Sequence, residues 1–147
     1  MTAEACCNER SPIAGVKSTS YAHNALVREQ ALQAGSSEAV MANTRGELCE
    51  GTASNVFVVV DGELLTPSLR SGCLPGVTRE LVLEWTQARE ADLPYSVLAT
   101  ADEVFLTSAT RDVHPVVRVD DRGLEIGPVT RQVQEAFAAG VATGIDP

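Results

Sequence analysis

The strongest constraint on the fold of this chain is a hairpin signal near its middle. An apolar run at residues 56–60 is followed by Asp61-Gly62 and then by a second strand-like run at residues 63–66. The Asp-Gly pair supplies the positive φ angles that a two-residue turn between antiparallel strands requires. We therefore expect two antiparallel strands here, with Pro67 ending the second.

Helical and extended patterns alternate around this hairpin. Apolar residues recur at helical spacing in three segments, residues 21–34, 77–89 and 129–141. Gly35 stands where a left-handed C-terminal cap belongs. Further strand-like runs lie at residues 38–43, 95–99, 104–107, 113–119 and 124–126, and the last two are expected to pair across residues 120–123. Residues 1–14 show no periodic pattern and predict no element.

The order of these elements predicts the fold class. Strands and helices are intermixed without a strict βαβ repeat, and no internal repeat or interdomain linker is present in the sequence. A length of 147 residues suits one domain with a substantial core. We therefore expect a single mixed α/β domain, residues 1–147.

Composition excludes several classes of function. The net charge is −9 and no basic cluster occurs, which argues against a nucleic-acid partner. No apolar run approaches the roughly 20 residues that span a bilayer, and the first ten residues lack the apolar core of a signal peptide, so we expect a cytoplasmic protein without membrane contact. The four cysteines lack metal-ligand spacing and are expected to be reduced thiols.

Lys17 is the only lysine in the chain, against ten arginines. An amine can lose its proton and form a Schiff base with a carbonyl, whereas a guanidinium stays protonated. A leftover surface lysine in an arginine-biased sequence is the alternative interpretation, and composition alone leaves both open.

Other polar stretches resemble parts of a cofactor site. Glu50 opens a run of small polar residues before the apolar strand, and Gly76-Val77-Thr78 begins a predicted helix whose N–H groups could bind an anion. Each signal alone has a structural explanation. Together, Lys17, Glu50 and this helix start supply the amine, the carboxylate and the phosphate cradle that pyridoxal phosphate requires.

Four ordered motifs carry a family resemblance: SPIAGVKSTSY, GELCEGTASNVFVV, SGCLPGVTR and ADEVFLTSATRDVHPV. They resemble the class IV (fold-type IV) pyridoxal-phosphate aminotransferases, a family that includes branched-chain and D-amino-acid aminotransferases and aminodeoxychorismate lyase. The resemblance implies a Schiff-base role for Lys17 and a contact between Glu50 and the pyridine nitrogen. It also implies that Leu74 packs on the ring and that Tyr21 lies near the cofactor. The implied phosphate side comprises Gly76, Val77, Thr78 and Ser108.

Two departures from the family pattern have consequences. Ala109 stands where the aminotransferase branch usually has a hydroxyl residue, so Thr107, Ser108 or Thr110 either replaces that contact or the contact is lost. The family also places its lysine near mid-chain, behind a smaller N-terminal domain that contributes a phosphate-binding arginine. We therefore expect this chain to be the C-terminal, cofactor-binding domain, nearly inactive by itself and functional as a homodimer. Arg79 is expected to point along the helix surface and not to replace that arginine.

The resulting functional prediction is a pyridoxal-phosphate-dependent aminotransferase that moves the amino group of a branched-chain-like amino acid to a 2-oxo acid. Lys17 would carry the proton in this reaction, with a pKa below the usual value of about 10.4, while Glu50 stays ionised. Aminodeoxychorismate lyase is the alternative enzyme, because it uses the same lysine and cofactor to eliminate pyruvate. A noncatalytic domain that retains the motifs is the third possibility.

Overall fold

The computed structural model describes residues 1–143. Within this range the α-helices are α1 (Ala22–Gln33), α2 (Val77–Trp85) and α3 (Pro128–Ala142). The strands are β1 (Thr2–Cys7), β2 (Val40–Asn43), β3 (Leu48–Gly51), β4 (Asn55–Val60), β5 (Glu63–Pro67), β6 (Arg89–Ala91), β7 (Glu103–Ser108), β8 (Asp112–Pro115), β9 (Arg118–Val119) and β10 (Arg122–Gly123). Short 3-10 turns occupy Leu69–Ser71 and Tyr95–Ala99. The predicted mixed α/β class is confirmed.

A five-stranded sheet in the order β6-β5-β4-β7-β8 forms the centre of the fold. The predicted hairpin is its middle: β4 and β5 are antiparallel, and Asp61 and Gly62 turn with φ angles of 50° and 79°. β4 also pairs antiparallel with β7, while β6 adds to β5 in parallel. Because β4 has a neighbour on each side and layers on both faces, its apolar residues 56–59 are almost fully buried.

The two faces of this sheet have separate cores. On one face, Phe57 stacks on Phe105 with ring centroids 4.8 Å apart, and α2 and α3 cover both rings with Val82 and Phe137. On the other face, Val56 and Val58 pack against the Tyr95–Ala99 turn. Helix α2 therefore lies directly over the strands whose ends form the site described below.

A three-stranded sheet, β1-β2-β3, packs beside the central one and carries α1. The prediction that residues 1–14 form no element was wrong, because β1 pairs in parallel with β2. Its residues alternate between half-buried and exposed after Ala3, but the inward side chains are small, Ala3, Ala5 and Cys7. Such residues give little apolar contrast, so the strand was not detectable by periodicity.

Three other expectations were also wrong. Residues 95–99 form a 3-10 turn and not a strand, and its N-cap is Pro94. Helix α2 ends at Trp85, and the last residue of the predicted helix, Arg89, begins strand β6. In the C-terminal hairpin β9 pairs with β10 across Asp120-Asp121 only, while the preceding β8 pairs with β7.

The first and last predicted helices are confirmed. α1 is followed by Gly35, whose φ of 72° gives the predicted left-handed cap, and α3 covers the predicted segment at residues 129–141. None of the described helices combines the length and apolar character that a membrane crossing needs. The thiols of the four cysteines are free.

Candidate functional site

A cavity of about 370 Å³ lies where β3 and β7 end and β4 begins, beside the start of α2. Its volume falls within the range of about 300–1,000 Å³ that small-molecule sites typically have. All eight residues proposed from the sequence line it: Lys17, Tyr21, Glu50, Leu74, Gly76, Val77, Thr78 and Ser108. The fold therefore brings together side chains that are 91 positions apart in the sequence (Lys17 to Ser108).

Lys17 lies in an irregular segment between β1 and α1. This segment is fixed at Glu9, whose carboxylate accepts hydrogen bonds from Thr44 N (3.0 Å) and Thr44 Oγ1 (2.8 Å) and lies 3.2 Å from Arg45 Nη1. The Thr44 hydroxyl lowers the pKa of Glu9 for this reason. The Lys17 side chain is exposed at the edge of the cavity, with Nζ 5.7 Å from the centroid of the Tyr21 ring.

Tyr21 is the N-cap residue of α1, immediately before its first helical residue, Ala22. Its pKa is raised, first by burial and then by the nearby Glu50 carboxylate and Cys7. The Tyr21 phenol is therefore close enough to Glu50 for an electrostatic interaction with its carboxylate. Tyr21 lies on the same side of the cavity as Lys17.

Glu50 projects from β3, where it stands opposite Met41 of β2. One of its carboxylate oxygens accepts a hydrogen bond from Leu74 N at 2.8 Å. Burial raises the pKa of Glu50 to about 7, and the Leu74 hydrogen bond acts in the opposite direction. A positively charged ligand group beside Glu50 would favour the ionised carboxylate.

Leu74 is held from both sides by hydrogen bonds. Its N–H donates to Glu50, and its carbonyl accepts a bond of 2.7 Å from Asn55 Nδ2. Asn55 also explains the glycine that follows, because a Cβ atom at position 76 would lie 2.2 Å from Asn55 Oδ1. The backbone between Glu50 and α2 is therefore tightly placed at the cavity wall.

The start of α2 presents backbone donors to the cavity. Gly76 is its N-cap, and no side chain caps this helix. Val77 and Thr78, the first two helical residues, both line the cavity. Uncapped N–H groups and the helix dipole together make a site for an anion.

Val77, the first residue of α2, is 73% exposed, and the buried residues of the helix begin at Thr78. One expectation about α2 was wrong. Arg79 was expected along the surface but is 1% exposed. Its guanidinium binds Pro67 O at 3.0 Å and pairs with Glu80 and Glu90, so it ties α2 to the sheet instead of facing the cavity.

The end of β7 contributes hydroxyl groups. Ser108 Oγ and Thr110 Oγ1 are 3.4 Å apart and can share a hydrogen bond, and Ala109 between them also lines the cavity. Thr107 lies behind them, buried and next to α2.

Sequence analysis missed the residues that shape the loop at positions 51–54. Glu38 is buried, and one of its oxygens accepts hydrogen bonds from Thr52 N and Ala39 N, both at 3.1 Å, and from the Thr52 hydroxyl. Asn24 of α1 donates to Thr52 O at 2.9 Å. A single acidic residue before a strand gives no periodic signal, so only the tertiary contacts reveal this role.

Comparison with known proteins places these observations in a family context. The sequence profile of the family described as amino-transferase class IV matches residues 1–119. The branched-chain-amino-acid aminotransferase of Escherichia coli K12 is 34% identical over 143 residues, which are 90% of this chain and 45% of that protein. An Aquifex aeolicus protein provisionally described as a branched-chain-amino-acid aminotransferase is 38% identical over 126 residues, 80% of this chain and 40% of that protein.

The fold is also that of a solved relative. The branched-chain amino acid aminotransferase from Thermobaculum terrenum, in its PLP form, superposes with a TM-score of 0.89 at 27% identity, covering 97% of this chain and 50% of the other. The chain spans less than half the length of the two curated relatives.

Proposed function

The chain belongs to the class IV aminotransferase family, and from this premise we propose that it is the cofactor-binding part of a pyridoxal-phosphate-dependent aminotransferase. We propose branched-chain-like amino acids and 2-oxo acids as its substrates and a cytoplasmic homodimer as its working form. The observation that carries the proposal is that Lys17, Glu50 and the uncapped start of α2 line one cavity.

The residues of the cavity fit this cofactor. Glu50 is a partly buried carboxylate whose pKa is raised to about 7, and a protonated ring nitrogen beside it would favour its ionised form. The N–H groups at the start of α2 suit a phosphate. Leu74 offers an apolar side chain between these two ends of the site.

Each residue has a defined task in the proposed reaction. Lys17 Nζ would hold the cofactor covalently and afterwards accept and return the proton of the substrate carbon. Glu50 would keep the ring nitrogen protonated, and Tyr21 would limit the movement of Lys17. Bound pyridoxal phosphate supplies an electron-withdrawing ring that stabilises negative charge on that carbon.

A labelling experiment tests the role of Lys17. Pyridoxal phosphate is added to the chain, the visible absorbance is recorded, and the adduct is reduced with borohydride and mapped by peptide mass. We expect one label, on Lys17, and no visible band for Lys17→Arg, which keeps the charge but has no nucleophilic amine. A label on the N-terminal amine or on no residue would contradict the assignment.

Reaction products distinguish the aminotransferase from aminodeoxychorismate lyase, and cofactor binding distinguishes both enzymes from a noncatalytic domain. Amino transfer from a branched-chain amino acid to a 2-oxo acid supports the proposal, whereas release of pyruvate from aminodeoxychorismate supports the lyase. The similarity to branched-chain aminotransferases favours transfer. A chain that binds no pyridoxal phosphate would be a noncatalytic domain.

We further propose that full activity needs protein surface beyond this chain. Ile13 and Val16 beside Lys17 and Val77 at the start of α2 are 58%, 55% and 73% exposed, an apolar rim that another surface would cover. Arg79 is committed to Pro67, Glu80 and Glu90, so it does not add a cation to the phosphate side.

A further inference from the structure

The hydroxyl of Thr107 is buried without a hydrogen-bond partner. Three buried side-chain atoms in the described residues lack partners: Arg79 Nε, Thr107 Oγ1 and Arg122 Nε. The two guanidinium groups form hydrogen bonds through other nitrogens. Thr107 has only its hydroxyl, and it alone of the three lines the cavity. Burying a hydroxyl unbonded costs about 1–3 kcal/mol, so this arrangement needs an explanation.

The strand register places this hydroxyl beneath α2. Thr107 stands opposite Asn55 of β4 and two residues after Phe105, whose ring lies in the core covered by α2 and α3. Residues two apart on a strand share a face of the sheet. The Thr107 side chain therefore lies on the α2 side, where Gly76, Val77 and Thr78 line the same cavity.

The neighbouring side-chain hydroxyls, unlike that of Thr107, have a hydrogen-bond partner. Ser108 Oγ and Thr110 Oγ1 are exposed and lie within hydrogen-bond distance of each other, and Ala109 has no hydroxyl. Thr107 is thus the residue at the end of β7 that lines the cavity and whose hydroxyl is both buried and without a hydrogen-bond partner among the described residues.

We propose that Thr107 Oγ1 donates a hydrogen bond to the phosphate of bound pyridoxal phosphate, opposite the N–H groups at the start of α2. The inference rests on the proposed function and extends the phosphate site to a residue buried in the sheet. A phosphate oxygen satisfies the buried donor, and the charge of the phosphate strengthens the bond.

The test uses Thr107→Val, which keeps the shape of the side chain and removes the hydroxyl. Affinity is measured by visible absorbance for pyridoxal phosphate and for pyridoxal, which has the same aldehyde and ring but no phosphate. We expect affinity for pyridoxal phosphate to fall at least about tenfold, since hydrogen bonds to charged groups are strong, and affinity for pyridoxal to stay unchanged. The melting temperature of the cofactor-free variant should equal or exceed that of the wild type, because no bond is lost.

Thr66→Val is the matched control. Thr66 is also a buried strand threonine, but its hydroxyl donates to Val56 O at 2.8 Å. This variant should lower the melting temperature and leave the ratio of the two affinities unchanged. Thr107→Ser keeps the hydroxyl and should retain the preference for the phosphorylated ligand even if its stability falls.

The outcomes separate this inference from the proposed function. If the wild type forms the visible band and Thr107→Val binds both ligands as the wild type does, the inference is overturned and the proposed function stands. An equal loss of affinity for both ligands also overturns it. If the wild type forms no band with either ligand, the proposed function fails, and this inference fails with it.

Discussion

Glu50 is a residue of the cavity wall whose pKa lies near neutral pH, so its charge responds to what occupies the cavity. Burial raises its pKa to about 7 from 4.5, and the Leu74 N–H offsets this only in part. A carboxylate with this pKa is half protonated near neutral pH, whereas a neighbouring cation would keep it ionised. Cofactor binding and the ionisation of Glu50 should therefore be linked.

The first prediction is a pH dependence of stability that belongs to Glu50. The folded-state pKa exceeds the unfolded value, so the folded chain binds the proton more tightly. Stability is then greatest below about pH 4.5 and decreases as the pH rises to about 7. The loss attributable to Glu50 is at most about 3.5 kcal/mol, at about 1.4 kcal/mol per pKa unit. Glu50→Gln should remove this loss in urea unfolding of the cofactor-free chain.

Glu125→Gln is a suitable control, because Glu125 is exposed. It should retain the pH dependence of the wild type. A Glu50→Gln variant with the same slope would show that another group is responsible.

At the scale of single elements, the start of α2 depends on Gly76. The second prediction is that Gly76→Ala weakens both stability and binding of pyridoxal phosphate. The new methyl group would lie 2.2 Å from Asn55 Oδ1, so Asn55 must move and its hydrogen bond to Leu74 O must lengthen or break. We expect a loss of about 1–3 kcal/mol in the free energy of unfolding, measured by urea titration.

Gly123→Ala provides the comparison within the same chain. A methyl group at Gly123 meets no atom within 4 Å, so this variant should unfold and bind cofactor as the wild type does. Equal behaviour of the two alanine variants would mean that Asn55 is not fixed as described.

Secondary-structure elements with a clear local sequence pattern were predictable from the sequence. Elements that form only by contacts with residues far away in sequence were not. The β4–β5 hairpin carries its own turn residues, Asp61 and Gly62, and α3 has a repeating apolar face. Strand β1 instead depends on pairing with β2, 33 or more positions away in sequence, as in the pair Thr2 and Val40. Arg79 is buried because Glu80, Glu90 and Pro67 O surround it, and Glu90 and Pro67 reach it only through the tertiary fold.

The site shows the same division. Lys17, Glu50 and the glycine before α2 stood out by residue type, because few other residues can perform their chemistry. Glu38 and Asn24, which hold Thr52, did not, since a buried carboxylate or amide looks like a surface residue in sequence. Thr107 was one of three hydroxyl candidates in the sequence, and its buried, unpartnered Oγ1 distinguishes it from Ser108 and Thr110 only in the folded structure.

For the whole molecule, the third prediction is that this chain alone is not sufficient for full cofactor binding and activity. The chain by itself should bind pyridoxal phosphate weakly and transaminate little, because the start of α2 carries only about half a positive charge against a dianion. A version extended by the N-terminal half of a class IV aminotransferase should bind more tightly and turn over faster. Absorbance titration and a transamination assay compare the two, and equal values would show that this chain is sufficient.

The position of β7 between β4 and β8 has a consequence for synthesis on the ribosome. β7 supplies the antiparallel partner that β4 lacks on one side, and its last residues close the cavity. A nascent chain that has emerged only as far as α2 thus has the lysine and Glu50 but neither a finished sheet nor a finished pocket. Under the proposed function, capture of the cofactor therefore waits until β7 has been translated and has inserted, when only the edge strand β8 is still missing from the central sheet.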